Sequence, residues 1–163
     1  MKILIIGHAR HGKDTTAEFI NKHFGLTFRS SSLAASEIFI YKVLKEKYNY
    51  ATPNECFEDR VNHRKEWYDL IVNYNKNNKS QLASEILKTS DIYVGMREYT
   101  EINSCRNDNL FDLVVGVYNP YLPEEAVDSF NINIWKESDF IIPNVGTKKE
   151  LEQKIITIFS KLL

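Results

Sequence analysis

Six residues near the amino end carry chemistry that the rest of the chain must position. In GHARHGKDTT, Gly7, Gly12 and Lys13 follow the spacing Gly-x-x-x-x-Gly-Lys. Glycines at those positions let backbone amides close on phosphate oxygens, and the lysine ammonium reaches the β and γ phosphates. The next position usually holds a hydroxyl for magnesium; here it is Asp14, followed by Thr15 and Thr16. A carboxylate among phosphates repels them unless a cation lies between, and then it is a suitable Mg2+ ligand, directly or through water. Thr15 would offer its hydroxyl to the phosphate nearer the ribose. The expected phosphate-holding set is Gly7, Arg10, His11, Gly12, Lys13, Asp14, Thr15 and Thr16. A glycine-containing turn before a surface lysine has the same letters, so the surrounding elements decide its meaning.

Those elements suit a phosphate loop. Residues 2–6 form an apolar run ending at Gly7, as in a strand buried on both faces of a parallel sheet, and a helix is expected from Lys13 to about His23. Further strands are expected at 26–29, 91–95, 112–118 and 139–142. Between them fall helices over about 33–48, 52–74, 80–88 and 98–106, and a last one that ends near Leu163. Thr52, Pro53 and Glu55 mark one helix start, and Thr147 with Glu150 another. The stretch 119–135, with two prolines and little periodicity, reads as a loop or short lid over the sheet edge. Strands alternating with helices predict a doubly wound α/β fold, a three-layer sandwich whose five-stranded parallel sheet has helices on both faces. Its ligand site belongs at the carboxyl ends of the strands.

Bulk composition sets limits on partners. The chain has 163 residues, enough for one domain with a single core. Its 21 basic and 22 acidic residues leave a net charge of -1, with no basic surplus pointing to nucleic acid. Cys56 and Cys105 are too few for a disulfide framework or a metal site, and reduced thiols are expected. The opening MKILIIG is too short for a signal peptide or a membrane span. The expected location is the cytoplasm, without a membrane partner, as a monomer or homodimer.

A second cluster offers cations for an acceptor. In ECFEDRVNHRKEWYDLI, Arg60, Arg64 and Trp67 are spaced by four and three, which on a continuous helix puts two guanidiniums and a ring on one face. Asp59 and His63 form a neighbouring pair at spacing four. Ser31 and Ser32, after the second strand, could hold phosphate or base, though Ser32 could equally cap the helix. Arg97 leaves the third strand at the carboxyl edge, where it could bridge two approaching phosphates.

Together these residues resemble phage-type deoxynucleoside monophosphate kinases, whose phosphate loop also reads Gly-Lys-Asp-Thr. In that family the third strand tends to end in Asp-Val-Arg with a Glu four residues after the Arg. Here YVGMREYTEI keeps Arg97 and Glu101 but puts Gly95 in the Asp position. The final Asp-x-x-Ile-x-Asn-x-Gly-Thr is matched by DFIIPNVGT, so Asn144, Gly146 and Thr147 would border the adenine of ATP. The resemblance implies a P-loop kinase domain over residues 1–163, with its acceptor-binding part at about 30–88 and a lid at about 119–138. It implies ATP as donor, Mg2+ at Asp14, small-molecule nucleotide substrates, and Lys13, Asp14 and Arg97 as catalytic groups. Asp14 or Asp59 would cover for the missing strand-end acid. The lid contains no arginine, so Arg10 or Arg106 would have to replace the usual lid arginine.

Three functions fit. The first is phosphorylation of a (deoxy)nucleoside monophosphate. The second keeps the donor half but phosphorylates a modified base, such as 5-hydroxymethyluracil, within phage DNA; the balanced charge argues against this polymer acceptor. The third is a nucleotide-binding module that has lost catalysis.

Overall fold

The run ILII is buried at every position because helices cover both faces of its strand. The computed structural model describes all 163 residues. In chain order they form β1 (Ile3–Ile6), α1 (Lys13–Phe24), β2 (Phe28–Ser30), α2 (Ser31–Ala35) and α3 (Tyr41–Tyr48), with one π-turn at Ser36–Ile40 joining α2 to α3. Next come α4 (Pro53–Asp59), α5 (Arg64–Tyr74), α6 (Gln81–Leu87), β3 (Ile92–Val94) and α7 (Tyr99–Asn107). The chain finishes with β4 (Leu113–Tyr118), α8 (Ile134–Glu137), β5 (Phe140–Pro143) and α9 (Lys148–Phe159). The five strands are parallel, in the order β2-β3-β1-β4-β5, and Ile5 of β1 pairs with Val94 on one side and Val115 on the other.

Alternation along the strands builds two cores. Ile3, Ile5, Val94 and Val117 pack with Ala17 and Ile20 of α1 and with Leu151 and Ile155 of α9. Leu4, Ile6, Tyr93 and Val114 pack on the opposite face with residues of α2, α3, α6 and α7. The sheet order reverses at β1, so the loop that follows it opens at the topological switch point, the usual ligand crevice of such sheets.

Helix starts follow their chemistry. Thr52 Oγ1 accepts the Glu55 N–H at 3.1 Å, and Thr147 and Glu150 form a reciprocal capping box. At α2 the cap is Ser30, whose Oγ accepts the Leu33 N–H at 3.2 Å, so Ser32 lies inside the helix rather than at its cap.

The helix expected over 52–74 is broken. A 3-10 turn at Arg60–Asn62 separates α4 from α5, and His63 leaves the helical region at φ -129 and ψ 32. Asp59 stabilises the break, accepting from Tyr50 Oη at 2.5 Å and Asn62 Nδ2 at 2.6 Å and pairing with His63 Nε2 at 3.0 Å. Arg60, Arg64 and Trp67 therefore do not share one helical face. Residues 119–133 carry no helix or strand, as expected of a loop. They lie as a strap across the carboxyl end of the sheet.

Glu101 locks the helical side together. Buried in α7, it accepts from Asn75 Nδ2 at 2.7 Å, while Asn75 Oδ1 accepts the Leu82 N–H at 3.1 Å, tying α5, α6 and α7. Burial pushes its carboxyl up to about 7, with Glu98 adding to the rise and Asn75 and Lys79 opposing it. A folded-state pKa above the unfolded value makes this group's contribution to stability greatest below about pH 4.5, declining until about pH 7 and constant above. The ionised form costs about 3 kcal/mol at alkaline pH, at about 1.4 kcal/mol per pKa unit. Glu101→Gln keeps the Asn75 bond without the charge. It is expected to stabilise the protein by about 1–3 kcal/mol at pH 8 and to flatten the slope between pH 4.5 and 7, measured by denaturant melts across pH.

Candidate active site

The loop between β1 and α1 is tightly constrained. Gly7 faces the Val117 carbonyl, where a Cβ would stand 2.3 Å from the oxygen. Gly12 has φ 103, and a Cβ there would come within 2.5 Å of Asn144 Nδ2. That amide donates to the His11 carbonyl at 3.1 Å, so Asn144 braces the loop from the β5 side. Gly146 precedes the capping box of α9, so this end of the fold supplies a brace and a helix cap.

Lys13 is 8 % exposed, and its Nζ donates to the His8 carbonyl at 2.7 Å. Burial pushes its ammonium down to about 8; Arg97 acts in the same direction, and Asp14 and Glu125 oppose it. Asp14 is exposed in the first turn of α1, and none of the chain's ion pairs uses it. Thr15 is half-buried. Thr16 departs from expectation, since its Oγ1 is buried without a partner. His11 departs as well. Its fully buried ring accepts the Asn119 N–H at Nδ1 (3.1 Å) and faces the Pro123 carbonyl from Nε2 (3.3 Å), so it holds the strap rather than facing a ligand. Arg10 is exposed at φ 66.

From β3, Gly95 takes φ 97, and a Cβ would sit 3.2 Å from Ser31 Oγ, which itself donates to the Gly95 carbonyl. The position expected to hold an acid in the resembling family thus has a backbone that disfavours any side chain. Ser31 is spent on that bond, and Ser32 stands half-buried beside it. Arg97 follows, turned toward the phosphate loop, and its Nη1 donates to Glu125 Oε1 at 2.6 Å. Arg60 is stacked on the Phe57 ring, 3.7 Å from its centroid, and donates to the Phe57 carbonyl. Burial lowers its pKa, with Glu58 opposing and Arg64 adding to the fall; the charges of Asp14 and Arg97 also reach it. Lys13 and Asp14 are adjacent at the head of α1, Arg97 meets the phosphate loop through Glu125, and Arg60 lies within electrostatic reach of Asp14, Arg64 and Arg97.

Three expected members lie elsewhere. Trp67 is 4 % exposed and belongs to the core beside Ile40, Leu44 and Cys56, not to a nucleotide-stacking surface. Asp59 is committed to the turn between α4 and α5, so it cannot replace the strand-end acid. Arg106 is paired with the carboxylate and carbonyl of Glu137 near the far end of α7, which removes it as a substitute lid arginine.

Sequence reasoning missed Glu125. Its Oε2 accepts the Ala9 N–H of the phosphate loop at 2.7 Å, while its Oε1 takes the bond from Arg97. The only advance signal was a pair of acids, Glu124 and Glu125, in a lid without arginines.

The phosphate loop at the switch point of a β2-β3-β1-β4-β5 sheet defines the fold of the P-loop kinases. Solved structures agree over the whole chain. Dephospho-CoA kinase from Campylobacter jejuni matches at TM-score 0.54 and 16% identity, covering 99% of this chain and 98% of its own. Shikimate kinase from Acinetobacter baumannii, in complex with shikimate, matches at 0.54 and 16%, covering 99% and 94%. Shikimate kinase from Aquifex aeolicus matches at 0.51 and 12%, covering 99% and 97%. No protein-family model matches the sequence, and no curated protein matches it.

Proposed function

We propose that the chain is an ATP- and Mg2+-dependent phosphotransferase whose acceptor is a (deoxy)nucleoside monophosphate. The observation that carries this reading is the place of Arg97, which donates to Glu125 Oε1 at 2.6 Å while the other Glu125 oxygen accepts the Ala9 N–H of the phosphate loop, so that a guanidinium stands one carboxylate away from the loop that ends in Lys13. Arg60 lies within electrostatic reach of Asp14 and Arg97. An alcohol acceptor needs a base to take its proton, whereas a phosphate acceptor arrives with its nucleophilic oxygen already anionic and needs cations instead. This site supplies cations. Its nearest carboxylates are Asp14, at the head of α1, and Glu125, already bonded to Arg97 and Ala9.

Backbone amides of residues 7–13 and the Lys13 ammonium hold the donor phosphates, and Arg97 neutralises charge between donor and acceptor. Arg60 and Arg64 orient the acceptor phosphate. Mg2+ would supply charge neutralisation across the β and γ oxygens. The residues present fit such an ion. Asp14 is an exposed, unpaired carboxylate beside Lys13, and no group of three or more His, Cys, Asp or Glu forms a cage, so the protein would offer the ion one carboxylate and leave the rest of its shell to phosphates and water. Asp14→Ala, which removes the carboxylate without supplying the hydroxyl usual at this position, is expected to keep the ATP Kd within about threefold while kcat falls about 100-fold and the Mg2+ concentration for half-maximal rate rises. Steady-state rates over a Mg2+ titration check this; turnover near that of the parent would make the carboxylate incidental.

The test of function is a coupled ADP-release assay with each NMP and dNMP, run beside hydroxymethyluracil-containing DNA and labelled ATP. Turnover of one free nucleotide and none of the DNA supports the proposal; labelled DNA without free-nucleotide turnover would replace it.

A further inference from the structure

The strap is fastened to the phosphate loop at four points. His11 takes the Asn119 N–H and faces the Pro123 carbonyl, His8 Nδ1 accepts the Glu125 N–H at 3.0 Å, and the Glu125 carboxylate accepts the Ala9 N–H. Phe130 seals the strap over the His8 ring, with centroids 4.6 Å apart, and is itself 4 % exposed. Arg97 then donates to the other Glu125 oxygen and to the Ser129 carbonyl, while the Asn131 N–H donates back to the Arg97 carbonyl.

One carboxylate thus collects a loop amide and a guanidinium, with the Lys13 charge close enough to act on it. A nucleotide phosphate would need the same three donors. Two anions cannot share them: the loop has one Ala9 N–H, and bringing a phosphate to it places like charges in a half-buried, poorly screened crevice. Burial would raise the Glu125 carboxyl, but the bond and charge of Arg97, the Ala9 N–H and Lys13 together hold it below the usual range, so it remains the anion in this contact at neutral pH.

We infer that Glu125 is a resident phosphate surrogate: it occupies the anion cradle of the unliganded protein, and nucleotide binds by displacing it and releasing the strap around residues 119–131. Space for the displaced side chain exists alongside, in a crevice of about 260 Å3 lined by His8, Glu124, Glu125, Val127, Phe130 and Trp135. The inference rests on the reading of residues 7–13 as a phosphate loop and does not depend on which acceptor is used. It makes the strap an autoinhibitory closure set by the affinity of the donor nucleotide. When the competent state is a minor fraction, apparent affinity is reduced by that fraction, so freeing the cradle raises affinity without any new contact to ATP.

The experiment is ATP binding by calorimetry, without acceptor, in the full chain and in Glu125→Gln and Glu125→Ala. Kd is expected to fall about tenfold in both variants. Equal or weaker binding would overturn the inference, as would Glu125→Gln that binds like the parent but loses turnover, which would mark Glu125 as an acid of the reaction. Hydrogen exchange on the parent protein keeps the test independent of variant folding. ATP should protect the amides of residues 7–13 while speeding exchange at Asn119, Glu125 and Asn131, whose N–H groups the closed strap holds. Slower exchange at those three amides contradicts displacement. Absence of any ATP binding in parent and variants alike would instead remove the phosphate-loop reading itself.

Discussion

Lys13→Met is expected to abolish phosphotransfer while making the protein more stable. The ammonium is held at a pKa of about 8 against an ordinary 10.5, chiefly by burial. A lysine whose folded pKa is depressed gives up its proton earlier in the native than in the unfolded state. Stability therefore rises with pH between about 8 and 10.5, and at pH 7 the buried charge costs about 3 kcal/mol. Methionine removes that cost and fills the same volume, but it leaves the His8 carbonyl without its Nζ donor. The net gain is expected to be about 1–2 kcal/mol, a Tm rise of about 3–6 °C in a chain of this length. Under the proposed function the lost charge is also the one that meets the donor phosphates, so kcat should fall about 1000-fold. Differential scanning calorimetry and single-turnover assays on one preparation measure both effects. The parent should also bind ATP more weakly above about pH 8, as Lys13 deprotonates, and the variant should lose that dependence. A variant that melts lower and keeps its pH profile would remove Lys13 from the cradle.

Arg97→Ala should lower kcat/KM for the acceptor by about 100-fold or more, as expected when a guanidinium that neutralises transferring phosphate is removed. Its effect on ATP affinity is different and smaller. The substitution deletes one cation from the cradle, which weakens binding, and unfastens the Glu125 carboxylate, which strengthens it. These oppose one another, and the ATP Kd should stay within about threefold of the parent. Acceptor kinetics alongside ATP calorimetry separate the two. A loss confined to ATP binding, with acceptor kcat/KM intact at saturating ATP, would move Arg97 out of the transfer step.

Much of the fold was legible because it rests on local rules. The ILII run, the Thr52–Pro53 start and the Thr147–Glu150 box each specify an element from a few adjacent residues, and all three occur as expected. The site was legible only where its residues lie on such elements. Gly12, Lys13 and Asp14 stand between strand and helix, and Arg97 at a strand end, so their positions followed from the pattern. The Arg60–Arg64–Trp67 face failed because helical spacing presumes an unbroken helix, while Asp59 gathers partners as far away as Tyr50 to break it. Trp67 failed for another reason, since an aromatic residue on an amphipathic helix faces whichever side packs, and here that side is the core. Glu125 had only a weak local signature, a pair of acids in a segment without arginines. Its bond to the Ala9 N–H exists only once residues 119–133 close on a loop far earlier in the chain, 116 positions from Glu125.

The fastening of the strap also divides its dependence on side chains unevenly. His8 and His11 grip backbone atoms of residues 119, 123 and 125, so those contacts survive almost any change of side chain in the strap. The exposed side chains of Tyr121, Ala126 and Val127 make no hydrogen bond or ion pair to the loop, so replacing them should cost the closed path little. Side chains of the strap reach the loop chiefly at two places, the Glu125 carboxylate on the Ala9 N–H and the Phe130 ring on His8. The hold of the strap therefore depends on the two histidines more than on its own exposed side chains, and loss of either His8 or His11 would release backbone that no side chain of the strap could re-anchor.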